Sequence, residues 1–325
     1  MLKKLSLIVV LSIVVAAAAM YTLQDTNEKR TVRVGLILFT AINSETAAGL
    51  IEGLERYGYR EGDNVEFVGR EIVTSADQLD KRVAQVIAAD PDVIVSTSTP
   101  GTLATQKQAA PRNIPVIFAP VNDPVASGIV ADYKQPGGNV TGIRLATSDG
   151  KRFEWLLKLK PSMRKIYIPY TEGDPSAEVT LRQIREVAKA KRVDTFALSA
   201  MPGASIEKLL TQMPANIDGI FLPRDSRIEA NVALFAAAAE ARGIPLAAPS
   251  KQQVDQGALF CYGFEHRRIG RQAARLVAEV LKGTAVGNLP VETAENYTFL
   301  NMKSVNAIGL EVSDAMLRQM DEIIR

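Results

Sequence analysis

One cysteine, Cys261, and one histidine, His266, occur in 325 residues. A single cysteine excludes an intramolecular disulfide. Together the two residues argue against a Cys/His zinc site and against a histidine-based nucleophilic triad. Cys261 lies in the apolar run "ALFCYGF" and reads as a buried structural thiol. His266 opens a helical segment beside Arg267 and Arg268 and reads as a solvated surface residue. Charge of one sign is also missing: 38 basic residues face 36 acidic ones, a net of +2, with no polybasic run. A nucleic-acid interface needs basic residues gathered on one face, so none is expected. No G-x-S-x-G elbow and no G-x-x-x-x-G-K-[ST] loop is present. The first strand leads into "FTAINSE" and not into a G-x-G-x-x-G turn, so no nicotinamide or flavin cofactor is implied. "PGGNVTG" (Pro136–Gly142) is glycine-rich but precedes a strand, which makes it a turn. No metal, no cofactor and no catalytic residue is expected, and the protein reads as a non-enzyme.

What is present is a globular composition, 47% hydrophobic and 23% charged, long enough for two domains. The chain begins "MLKK" and continues "LSLIVVLSIVVAAAAM", positive and then apolar, with an A-x-A pattern at Ala17–Ala19. This is the form of a secretory signal peptide. Uncleaved, the run from Leu5 to Leu23 is long enough to anchor the chain in a bilayer. Either outcome places the rest outside the cytoplasm, periplasmic or extracytoplasmic. A nearly cysteine-free chain fits an oxidising compartment.

From Thr31 short apolar strands alternate with amphipathic helices. "VRVGLIL" (Val32–Leu38), Asn64–Ile72, "DVIVST" (Asp92–Thr97), "PVIFAPV" (Pro115–Val121) and "NVTGIRL" (Asn139–Leu145) form a first series. "KIYIPY" (Lys165–Tyr170), "DTFALSA" (Asp194–Ala200), "GIFLPR" (Gly219–Arg224), "PLAAPS" (Pro245–Ser250) and "ALFCYGF" (Ala258–Phe264) form a second. Helices are expected between them, among them Ile206–Met213 and Ile228–Arg242, with a last amphipathic helix over Ser313–Ile324. Such alternation implies an α/β chain of two Rossmann-like lobes with parallel sheets. The long helix and the late strand after Phe264 exceed what a second lobe needs, so the chain is expected to cross back and return through a three-strand hinge. The division is residues 1–30 for signal peptide or anchor and linker, 31–143 with about 265–302 for lobe one, and 144–264 with about 303–325 for lobe two. The crossovers fall near Ile143–Leu145, Gly263–Glu265 and Leu300–Lys303.

Ligands of open parallel sheets bind beyond the carboxyl ends of the strands. Those ends hold Thr40 and Ala41, then Ser98 and Thr99, then Asn122 and Asp123 in the first series. In the second they hold Tyr170 and Ser176, then Asp225 and Ser226, then Ser250. These eleven are the candidate ligand-binding residues. "STSTPG" (Ser96–Gly101) carries four hydroxyls into a helix start, where free N–H groups suit a carboxylate. Ser98 or Thr99 also caps that helix in any reading.

The stretch "PVIFAPVNDPVASGIVADYKQPGGNVTGI" resembles a signature block of ABC-transporter substrate-binding proteins of the tryptophan/tyrosine-binding group. "GLIEGLERYGYREGDNVEF" and "FLNMKSVNAIGLEVSDAMLRQMDEII" are similar to that family's opening and closing blocks. The resemblance implies a type I periplasmic-binding-protein fold, a small polar ligand (an amino acid or small carboxylate) held between the lobes, and delivery to the membrane permease of an ABC importer. The chain is expected to be a monomer. Ser176 and Asp225 carry over from the family's cleft turns. Arg224 stands where the family often has threonine, which puts a new charge near the cleft. Aromatic residues are 6% of the chain, and the one tryptophan, Trp155, lies in a helix expected to pack onto a lobe. This points away from an aromatic amino acid as ligand. The same scaffold also serves exported sensing domains that signal through a membrane receptor. Closure would bring Asp225 to a ligand ammonium, with the amides near Ser98 and Thr99 on its carboxylate. Cleavage after Ala19 predicts a mature chain starting at Met20, and the intact mass of the exported protein checks it.

Overall fold

Short runs of β-branched and leucine side chains, each followed by an amphipathic segment, build two parallel sheets with helices on both faces. The computed structural model of the protein describes residues 30–201 and 205–325; the expected export segment lies outside them, apart from Arg30. The first part of the chain forms β1 (Val32–Phe39), β2 (Val65–Val68), β3 (Ile72–Val73), β4 (Val93–Ser96), β5 (Val116–Val121) and β6 (Val140–Arg144), with helices α1 (Ser44–Arg56), α2 (Ala76–Ala88) and α3 (Thr99–Ala109) between them. The chain then crosses to a second lobe. There it forms α4 (Asp149–Leu159), β7 (Lys165–Thr171), α5 (Pro175–Lys191), β8 (Asp194–Ala200), α6 (Glu207–Thr211) and β9 (Gly219–Phe221). It continues through α7 (Ser226–Glu229), α8 (Val232–Ala241), β10 (Leu246–Ser250), α9 (Lys251–Asp255) and β11 (Phe260–Phe264). It returns to the first lobe as α10 (His266–Leu281) and β12 (Glu292–Thr293), and ends in the second as β13 (Tyr297–Asn301), α11 (Met302–Ala307), α12 (Asp314–Leu317) and β14 (Glu322–Ile324).

The first sheet runs β12-β6-β5-β4-β1-β2, with β3 also on β1, and every pairing is parallel. The second runs β14-β13-β11-β10-β9-β7-β8. Only the β11–β13 pair in it is antiparallel. Central strands β4 and β5 are buried along their whole length, as both-face coverage requires. Trp155 packs in the core of the second lobe, and Cys261 is fully buried there.

Four details differ from the sequence expectation. The strand expected over Asn64–Ile72 is cut at Gly69, whose φ of +81° ends β2 and offsets β3. The helix expected over Ile228–Arg242 is broken at Asn231 into α7 and α8. The last helix is one turn only: Asp321 turns the chain by accepting hydrogen bonds from the Thr298 backbone N (2.7 Å) and Oγ1 (2.7 Å), and β14 then pairs with β13. The third crossover lies at Ala294–Asn296 and not at Leu300–Lys303. Residues 297–301 pair with β11 (Leu300 opposite Phe260), so their buried side chains sit in the second sheet and not with 265–302 in the first.

Helix α10 fastens the returning chain to lobe one by lying on α1 almost backbone to backbone. A Cβ added at Gly270 would sit 2.0 Å from the Thr46 carbonyl oxygen, and one at Gly49 would sit 2.0 Å from that of Arg267. Arg267 pairs with Glu45 (3.1 Å) and Arg271 with Glu52 (3.1 Å) over the seam. Such partly exposed pairs contribute little, so the close approach of the glycines sets the register. That register places His266, the first residue of α10, beside Thr46, with Nδ1 3.1 Å from Oγ1. Gly270→Ala is expected to lose about 1–3 kcal/mol of stability by overpacking this seam, as read by urea denaturation.

Candidate functional site

The carboxyl ends of β1, β4 and β5 face those of β7 and β9 across the gap between the lobes, and the lobes touch there. Thr99 Oγ1 and Ser176 Oγ share a hydrogen bond of 2.7 Å. The Asn122 side chain donates through Nδ2 to the Ser176 carbonyl (3.1 Å) and accepts at Oδ1 from Arg224 Nη1 (3.0 Å). The space enclosed behind these contacts measures about 30 Å³, room for one or two waters. Its lining from lobe one includes Asn43, Ser98, Thr99, Pro120 and Asn122. Ser176, Arg224, Ser226 and Glu229 line it from lobe two, and Leu145, Phe264 and His266 from the crossovers.

Backbone geometry brings several of these side chains in. Thr40 (φ +71°) and Ser98 (φ +65°) are non-glycine residues in the left-handed half of backbone space, at the ends of β1 and β4. Such conformations cost on the order of 1–3 kcal/mol each and gather at functional edges. Ser98 also caps α3, its Oγ accepting from Gly101 N. Asn43 is tied down through its Nδ2, which donates to Thr40 Oγ1 (3.3 Å) and to the Phe39 carbonyl (2.5 Å).

Arg224 is the electrostatic centre of the site and is nearly inaccessible to solvent. Its Nε donates to Asp149 Oδ1 (3.0 Å), its Nη2 to Ser148 Oγ and its Nη1 to Asn122. Asp149 also accepts from Thr180 Oγ1 (2.9 Å) and pairs with Arg152 (3.1 Å). Arg152 is wholly buried, donates to the Leu222 carbonyl (2.9 Å), and lies 4.2 Å from the centroid of the Phe221 ring. Burial holds its guanidinium below the ordinary arginine range, against the pull of Asp149.

Two other titratable groups reach the cavity. The Glu229 carboxylate accepts no hydrogen bond from the described residues; burial pushes it up to about 8, with Arg152 opposing and Asp225 adding to the rise. The His266 ring is 3% exposed, its Nε2 has no partner, and burial drives it down to about 3, so it is neutral. The surface histidine expected from the sequence is therefore a buried one. Phe264 covers it edge-on at 5.0 Å. Among the described residues no group of three or more His, Cys, Asp or Glu side chains is placed to hold a metal ion.

Of the sequence candidates, Ser98, Thr99, Asn122, Ser176 and Ser226 line the cavity. The other six lie elsewhere. Ala41 is exposed on an outer groove with Lys251, and Thr40 is spent on the turn that holds Asn43. Asp123 caps its own loop, accepting from Val125 N (3.1 Å), Ala126 N (3.0 Å) and Tyr133 Oη (2.7 Å). Tyr170 packs on the second lobe's core. Ser250 caps α9 with Gln253. Asp225 is fully buried and accepts from Thr171 N (2.6 Å), Thr171 Oγ1 (3.1 Å), Arg227 N (3.0 Å) and Ile228 N (3.1 Å). These bonds leave Asp225 to brace the loop and correct the expectation that it meets a ligand ammonium. Neither Glu229 nor His266 is among the candidates: Glu229 falls unmarked inside an expected helix, and His266 reads from the sequence as a surface residue. Glu229 follows Ser226 at i+3, one face of a turn, which is a readable signal; nothing in the sequence shows that α10 buries its first residue.

Comparison with known proteins fits this geometry. Residues 32–324 match the family described as ABC transporter substrate binding protein. The chain belongs to that family. Its members are solute-binding proteins, not enzymes. A tyrosine-binding protein of Clostridioides difficile is 25% identical over 288 residues, 88% of this chain and 83% of that protein. A conserved domain protein of Vibrio cholerae superposes with a TM-score of 0.83 at 25% identity, covering 91% of this chain and all of that one. The L-Trp complex of an ABC domain from Streptococcus pneumoniae gives 0.83 at 20% identity over 90% of this chain and all of that one. The fold is that of the type I periplasmic binding proteins. No helix of the described residues is long and apolar enough to cross a membrane.

The buried carboxyls make stability fall with rising pH. Glu229 at about 8 and Asp174 at about 7 (burial first, then neighbouring Asp225) keep protons that the unfolded chain releases at its ordinary, lower values. Their contribution is lost as pH rises through the unfolded carboxylate range towards the folded values. His266 acts oppositely, but only between about 3 and its ordinary 6.5. Between pH 6.5 and 8 the ligand-free protein is therefore expected to lose stability. Glu229→Gln flattens that slope and is more stable than wild type at pH 8, by less at pH 5, in denaturant titrations.

Proposed function

We propose that this protein is the extracytoplasmic solute-binding component of an ABC importer. It holds an amino acid or small carboxylate between its lobes and presents the closed form to the importer's membrane permease. The observation that carries the reading is the set of direct interlobe hydrogen bonds at Thr99–Ser176, Asn122–Ser176 and Asn122–Arg224, made around one polar cavity. Residues from both lobes and from two of the three crossovers meet there, so a ligand in it stabilises the closed arrangement by its differential affinity. Relatives that bind tyrosine and L-tryptophan support an amino acid as ligand.

In this reading Arg224 turns its Nη1 from Asn122 to the ligand carboxylate, joined by Ser98, Thr99, Ser176 and Ser226. Ile42, Pro120, Leu145 and Phe264 receive the side chain. The lobes part about the crossovers at Leu145–Ser148, Glu265 and Ala294–Asn296 to admit it. Arg224 is already paired with Asp149, so it approaches the ligand without losing its own counter-charge.

Thermal denaturation with a panel of amino acids, tyrosine and tryptophan included, and of small carboxylates tests the reading. A true ligand at 100 times its Kd adds about 2.7 kcal/mol of stability. Arg224→Ala is expected to weaken that ligand at least about tenfold, the scale of one charge-assisted bond. A panel without a single stabilising compound, or full affinity in Arg224→Ala, sinks it.

A further inference from the structure

We propose that the Glu229 carboxyl receives the ligand's ammonium group, so that the cleft selects amino acids over the matching carboxylic acids. The inference rests on the solute-binding reading of the same cavity and goes further in naming what the second polar pole is for. Glu229 is 6% exposed, lines the cavity from α7, and takes no hydrogen bond from the described residues. A buried acid without a partner is costly, and such groups persist where something else satisfies them. Arg224, on the same lobe, supplies the opposite pole. A zwitterion fits one pole to each.

Neighbouring acids are already engaged. Asp149 is held by Arg224, Arg152 and Thr180, and Asp225 by two donors of Thr171 at the end of β7 and two backbone N–H groups of its own turn. Asp174 caps α5 through Ser176 N and Ala177 N. Glu229 is thus the carboxyl on the cavity wall left for a ligand. The groups bearing on its charge are Arg152 from α4, Arg224 from the loop after β9, Asp225 from its own turn and Asp174 at the cap of α5. His266, facing from α10, is neutral. With Glu229 resting near 8, the side chain is largely protonated at pH 7. Arrival of an ammonium favours the carboxylate, and the displaced proton leaves to the buffer.

The test uses the mature wild-type chain and Glu229→Gln, with calorimetry at pH 7 in two buffers of different ionisation enthalpy. The probes are the common α-amino acids and, for each that binds, its des-amino carboxylic acid, such as 3-(4-hydroxyphenyl)propionate for tyrosine. The expected result is binding of an amino acid with release of nearly one proton, and about 100-fold weaker binding of its des-amino partner. Glu229→Gln should lose about the same factor for the amino acid, keep the des-amino affinity and release no proton. Equal affinity for the two probes overturns the proposal, as does wild-type amino-acid affinity in the variant or the absence of proton release. Binding of carboxylic acids but of no amino acid overturns this inference and leaves the solute-binding reading standing. Failure of both probe classes on folded wild type overturns both. Circular dichroism of Glu229→Gln, with its retained des-amino affinity, separates a lost contact from a lost fold.

Discussion

Two guanidinium groups share one buried carboxylate at the base of the cleft. Asp149 meets Arg224 at 3.0 Å and Arg152 at 3.1 Å. Removing a partner from a buried pair leaves an uncompensated charge, which costs about 3–5 kcal/mol, so neither arginine tolerates loss of Asp149. The cluster also does geometric work. It joins the first turn of α4, immediately after a crossover, to the loop after β9 and, through Thr180, to α5. Three segments of lobe two are thereby fixed around the point where Arg224 meets Asn122 of lobe one. An excess of positive charge remains there, since two cations face one carboxylate. Asp225 pairs with neither guanidinium; it accepts instead from Thr171 at the end of β7 and from the N–H groups of its own turn.

The other requirement is that the returning helix hold its place. Gly49, Gly53 and Gly270 let α10 approach α1 so closely that a methyl group would overlap backbone atoms or a side chain of the opposing helix. The first residue of α10 then becomes a wall of the cleft. His266 is kept neutral by burial and anchored by Thr46. A ring that would titrate near its ordinary 6.5 in solvent stays neutral here, with one nitrogen free of any partner among the described residues. Helix packing far from the cleft and polar chemistry within it are in this way one constraint.

Much of this architecture was legible in the sequence because strand hydrophobicity is local. The run "PVIFAPV" reads as a strand wherever it sits, and the alternation with helices dictates parallel sheets. The polar strand ends followed, and with them Ser98, Thr99, Asn122, Ser176 and Ser226. Local logic failed where partners from elsewhere decide. Asp123 and Asp225 sit at the right strand ends, yet each folds back to accept its own loop's N–H groups, a competition that one-dimensional placement does not register. Glu229 lies in a four-residue helix that the sequence pattern merged into a longer one. His266 depended on a crossover, on the glycine contacts between α1 and α10, and on Thr46, 220 residues away in sequence. β14 was hidden because a strand that borders only one neighbour needs little hydrophobic alternation and passes for a helical turn.

The interlobe bonds also set the terms on which a ligand competes. Thr99–Ser176, Asn122–Ser176 and Asn122–Arg224 each contribute about 1 kcal/mol net, the last somewhat more because it is charged. Under the proposed hinge closure a ligand cannot keep all three, since the enclosed 30 Å³ is smaller than an amino acid. It must replace the Arg224–Asn122 bond with a stronger one. A carboxylate does this, because a charged acceptor outbids the neutral amide of Asn122 for the same guanidinium. A neutral solute offers no such advantage and would lose to the protein's own contact. Under that proposal self-closure acts as a filter: the bond to Asn122 satisfies Arg224 well enough that an anionic group is favoured over a neutral one.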